Sequence, residues 1–136
     1  MIGLFLNIAK SLKQINELKF VDMEGGNDPQ IFPAAFIHID PIDHKQLNAG
    51  STEADIQFTI TAKFAPYIRS NADTPQSQLE ELATSLQVIE VIKSKLVKEN
   101  IEGIEAVMLS RESLQKKGTY YEAPLVFFGR VEWHPD

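Results

Sequence analysis

The chain reads as an α+β domain: a mainly antiparallel sheet of four to five strands with helices packed on one face, in the order α-β-β-β-α-β-β. Three observations carry that reading. Residues 55–64 alternate strictly, with Ile56, Phe58, Ile60, Ala62 and Phe64 on one face and Asp55, Gln57, Thr59, Thr61 and Lys63 on the other. That is the period of a half-buried strand with one wet face. Leu79, Leu82, Leu86, Ile89, Ile92 and Leu96 recur every three or four residues, and Val88 and Val91 widen the stripe, which predicts a long helix over 76–99. Residues 119–133 alternate again, Tyr121, Ala123, Leu125, Phe127, Val131 and Trp133 against Tyr120, Glu122, Val126, Phe128, Arg130 and Glu132. Amphipathic helices and one-sided strands bury their apolar faces against each other as layers.

The remaining elements follow in chain order. Phe5, Ile8, Leu12 and Ile15 predict an amphipathic helix over 2–17. Phe20, Val21 and Met23 suggest a short strand, and the turn formers of 24–29 a loop. Pro33 suits the start of the next strand, where a missing N–H is tolerated, and Phe36, Ile37 and Ile39 carry it to Asp40. Residues 41–52 are polar and aperiodic and read as an exposed loop, a length often tied to function. Thr74 and Pro75 provide an N-cap and a first helical position for the long helix, which Asn100 and Gly103 close. Residues 104–114 read as a strand with Ala106, Met108 and Ser110 on one side, and Gly118 marks a hairpin turn. No repeat or linker divides the chain, so residues 1–136 are taken as one domain.

Composition narrows the function. A 136-residue chain with 43% hydrophobic residues and eight Phe can bury a core unaided. Its formal net charge of −6 argues against a nucleic-acid binder held by phosphate contacts and against adhesion to anionic membranes. Lys93, Lys95 and Lys98 cluster on one helix, but Glu90 and Glu99 interleave with them, as on a solvated helix end. The absence of cysteine removes disulfides, thiolate metal sites and thiol nucleophiles. No run reaches the ~20 apolar residues of a membrane span, and the start does not resemble a signal peptide, so a cytoplasmic protein is expected.

Candidate chemistry centres on His38, Asp40, Asp43 and His44. His38 and Asp40 stand two apart on one strand face, and Asp43 and His44 follow at the loop start. Two imidazoles and two carboxylates are a possible divalent-metal set, though the spacing matches no established signature. The competing reading is a strand end and polar turn with His38 facing solvent or another subunit. Gly-x-Ser-x-Gly, the P-loop and Gly-x-Gly-x-x-Gly are absent. His134 lies at a terminus expected to fray. Aromatics on both faces of 119–133 suggest either core packing on both sides or an interface, where aromatics concentrate.

The run Phe32-Pro33-Ala34-Ala35-Phe36-Ile37, followed after a polar loop by Gln57-Phe58-Thr59-Ile60, resembles small tail proteins of bacteriophages and prophages. The long helix over 76–99 and two final strands ending in an aromatic extend the likeness. It is similar to the tail-terminator or tail-completion group, which includes the minor tail protein U of lambdoid phages. The resemblance implies a structural role without catalysis or cofactor. Such proteins form a ring, commonly a hexamer, on the tail tube, stop its polymerisation and offer the surface that joins the head. The partners implied are the chain itself, the tail tube protein and head–tail connector proteins. The location implied is the bacterial host cytoplasm during assembly, then the virion tail. A head–tail connector subunit on a similar fold, and a metal-binding or metal-dependent enzyme domain on the His38 set, stand as alternatives. Interface candidates are Phe32, Phe36, His38, Asp43, His44, Phe128, Arg130 and Trp133, on the edge of the 32–40 strand, the 41–52 loop and the aromatic final strand. A heterologous ring needs two different complementary patches on each subunit.

Overall fold

A computed structural model of the chain describes residues 2–24, 31–48, 50–66, 76–99, 101–117 and 120–134, leaving aside the side chains of 65, 66, 77, 78, 81, 82, 84 and 85. The expected turn and N-cap at 70–75, most of the 24–29 loop, Asn100, Gly118 and the side chain of Leu82 lie outside that description. Among the described residues two helices and seven strands occur in the order α1 (Ile2–Lys13), β1 (Phe20–Met23), β2 (Ala34–Ile39), β3 (Lys45–Asn48), β4 (Ser51–Pro66), α2 (Gln76–Lys98), β5 (Glu105–Glu112), β6 (Gln115–Lys117) and β7 (Tyr120–Trp133).

The class is α+β, as expected, but the sheet is larger and mixed. Its strand order is β1-β2-β4-β7-β5, with β3 pairing β4 and β6 pairing β7. β1 and β2 are parallel, and the other pairings are antiparallel. Two strands correct the expected order. β3 forms inside the stretch read as a loop: all four of its residues are exposed, so no face of it is apolar enough to show a period. β6 forms where the approach to the Gly118 turn was expected, past a gap that ends β5 at Glu112 rather than 114. Pro124 supplies the reason. Its carbonyl accepts from the Ser113 N–H at 3.2 Å, so its missing N–H falls on the same side, at the gap between the Glu112↔Leu125 and Gln115↔Glu122 pairs. Nor is β2 an edge, as an interface on the 32–40 strand would require: β1 lies outside it.

Both helices pack on one sheet face. Ile8, Ala9 and Leu12 of α1 and Val88, Ile92 and Leu96 of α2 meet Ala35 and Ile37 of β2, the alternating set Ala54 to Phe64 of β4, and Ala123, Leu125, Phe127 and Val131 of β7. Phe58 and Phe127 are directly opposed across the strands and stack with ring centroids 5.4 Å apart. α1 stops at Lys13 rather than 17. The chain then tightens through i→i−3 bonds at Gln14 and Ile15, which keep Ile15 in the core.

The opposite, outer face is only partly wet. Thr61, Val126, Ala34 and Phe36 are buried there. Phe20 lies 5.9 Å from Phe36, Phe32 lies 5.9 Å from Tyr120, and the Lys63 ammonium sits 4.7 Å over Phe36 and 5.1 Å over Tyr120. Cation–π contact lets Lys63 keep its charge while its stem covers ring surface.

Candidate functional site

The four residues of the sequence-derived metal set go to three different places. His38 and Asp40 do meet: Nε2 is 3.1 Å from the Asp40 carboxylate, while Nδ1 is 3.2 Å from that of Glu24, just past β1. The two carboxylates flank the imidazole from opposite nitrogens and do not converge on one point. Asp40 is further held by the Gln57 side-chain amide and by its own N–H, which donates to the Gln57 carbonyl at 3.0 Å. Asp43 lines a shallow cleft of about 490 Å³ with Lys45, Glu53, Asp55 and Arg130. His44 bonds Thr52 Oγ1 through Nδ1 at 2.8 Å and lines a different cleft. Among the described residues no group of three or more His, Asp or Glu is arranged to hold a metal ion. Glu24, the second neighbour of His38, escaped sequence reasoning because its contact depends on the parallel β1–β2 pairing.

The aromatic and basic candidates divide likewise. Phe36 is 3% exposed, covered within the monomer by Phe20 and Lys63, so it has little surface to offer. Phe32 is half-buried against Tyr120. Arg130 is paired with Glu53, and that hydrogen bond, with the nearby Glu105 and Asp55, raises its already high pKa. Phe128 is 39% exposed on the outer face and directly opposes Met108 of β5, which is 60% exposed. Trp133 is 53% exposed at the far end of β7. With Leu4, Ile42, Val131 and His44 it lines a cleft of about 690 Å³ beside the start of α1. Met108 was foreseen on a strand face, but two bulges in β5 decide that it stands beside Phe128.

His134 lies against the start of β4: Nδ1 is 2.9 Å from Ser51 Oγ, and Nε2 is 3.5 Å from Glu132. Ser, His and Glu are the residue types of a hydrolytic triad, yet 3.5 Å is too long for the imidazole–carboxylate hydrogen bond that such chemistry needs. The contact joins the ends of β4 and β7.

No helix among the described residues is long and apolar enough to cross a membrane. Compared with known proteins, the chain matches no family model and no curated protein.

Proposed function

We propose that this protein is a structural subunit that acts by assembly, and that it is the tail terminator of a phage or prophage tail. One observation supports the assembly reading above the others. Each subunit exposes two unlike apolar surfaces, the Met108–Phe128 pair on the outer face and the Trp133 cleft on the helix side. A head-to-tail ring requires two such different patches, and exposed apolar patches mark contact sites. The terminator assignment comes from the resemblance carried by the 32–37 run and the 57–60 strand. A connector subunit at the head–tail joint stands as the alternative assembly reading.

The test is capping. Purified protein is added to polymerising tail tube protein, and tubes are measured in electron micrographs. Shortened tubes ending in a ring are expected. Full-length tubes with bare ends would sink the terminator reading.

A further inference from the structure

One side of the sheet ends in a step. β7 lies along one side of β4 over its whole paired length. The other side of β4 is shared by β3, at residues 51–53, and β2, at residues 58–63. β1 lies outside β2, level with residues 60–63 of β4. The edge therefore stands one strand out from β4 at the β3 end and two strands out at the β1 end. The two outermost strands are about 30 Å apart along β4, at ~3.3 Å per residue. Among the described residues neither has a second sheet neighbour.

We propose that a second copy of this chain docks on this stepped edge about a two-fold axis normal to the sheet, β1 of each copy pairing with β3 of the other. The step is complementary to itself. At each end of the joint three strands separate the two β4 strands, namely β2 and β1 of one copy and β3 of the other, so both ends close at one spacing. The directions agree too. β3 and β2 run antiparallel to β4, and β1 runs parallel to β2. Rotation reverses the second copy, so β1 meets β3 antiparallel, the more stable ladder.

The side chains select a register. A two-fold axis normal to the sheet keeps both outer faces on one side, and opposed residues share a face. Phe20 stands on the outer face against Phe36, with Asp22 two residues on. Lys45 pairs with Glu53 and lines the outer cleft with Asp55 and Arg130. Placing Asp22 against Lys45 matches opposite charges ahead of the bulge that shifts the β3 ladder between Gln46 and Asn48, so this pair sets the register. Both edge strands carry exposed apolar side chains, Leu47 on β3 and Phe20 and Met23 on β1. The same register sets Glu24 opposite Asp43, but Glu24 is already engaged by the His38 ring. The far edge is blunted by two bulges in β5; on the stepped edge β1 has no bulge, proline or lysine, while β3 has one bulge past Gln46 and a lysine, Lys45, that Asp22 would pair.

The pair does not depend on the terminator reading. Subunits of a polar ring all face one way, so the pair is the form of the free chain and opens when a ring closes. Light scattering on the full chain should show the mass rising with concentration toward twice 15.3 kDa. Asp22→Lys or Lys45→Asp alone sets like charges opposite at two equivalent contacts and should weaken pairing about tenfold. Combined as D22K/K45D they should restore it, and circular dichroism checks that each variant is folded. The chain has no cysteine, so Asp22→Cys together with Lys45→Cys reports the register: a covalent dimer on mild oxidation, absent from either single variant. A chain that stays monomeric without cross-linking, or a pairing untouched by both single swaps, would overturn the proposal. A ring-sized mass without the cross-link would also overturn it while leaving the terminator reading standing. Failure to cap tubes would sink that reading alone.

Discussion

Gly129 on β7 stands opposite Ile56 of β4, in a row otherwise filled by Leu125, Phe127 and Val131. A Cβ built there would lie 2.5 Å from Ile104 Cγ2. The bare backbone thus lets Ile104 close over the sheet just before β5 begins. Next to it Ala106 adopts φ of 53°, and the ladder slips between Glu105↔Arg130 and Met108↔Phe128. An alanine in this region costs strain that a glycine would avoid. Two outcomes follow for equilibrium unfolding. Gly129→Ala should destabilise by about 1–3 kcal/mol through overpacking. Ala106→Gly should be neutral or mildly stabilising, since relief of the left-handed conformation offsets the added chain entropy. Equal losses for both would show that the bulge is not where the tightness lies.

At the scale of elements, burial varies along α2. Ile92 and Leu96 are fully buried, Leu86 only partly, and Leu79 is exposed. Ile92→Ala should therefore cost about 2–5 kcal/mol, and Leu86→Ala clearly less, because the loss scales with the cavity left behind. Denaturant midpoints that rank the two the other way would contradict this packing. The same helix is tied to β5 by Lys93, whose ammonium lies 3.0 Å from Glu112 and 3.1 Å from Glu90. The Glu112 hydrogen bond, and then that of Glu90, raise the lysine pKa above its ordinary 10.5. A raised folded pKa means a contribution fully present below 10.5 and lost as pH rises through the higher folded value. Lys93→Met should erase that alkaline loss in a pH series of thermal melts while barely changing the profile near neutrality, as surface pairs contribute modestly.

At the scale of the molecule, the topology sets two unlike surfaces on opposite faces of one sheet. If assembly uses the outer one, Met108→Asp with Phe128→Asp should abolish tube capping without changing the circular dichroism spectrum. Both side chains are substantially exposed, so folding has little stake in them. Capping that persists would take the outer patch out of the ring contact and overturn the two-patch reading.

How much of this was legible beforehand depended on whether the signal was local. The faces of residues 55–64 and 121–131, the stripe of α2 from Leu86 to Leu96 and the helical start of α1 were readable, because a side chain's face follows from its spacing along one element. β3 was not, since four exposed residues carry no period. β6 was hidden behind Pro124, whose meaning as a ladder break appears only once Ser113 lies beside it. The candidate site shows the same limit. His38 and Asp40 came out together because two residues along a strand share a face, whereas Asp43 and His44 parted where the chain turned toward β3. The neighbour order β1-β2-β4-β7-β5, the Glu24 contact with His38, the Met108–Phe128 pair and the stepped edge all join residues far apart in the chain. Periodicity assigns each element its apolar face; which elements then lie side by side is a choice among long-range pairings that no single segment encodes.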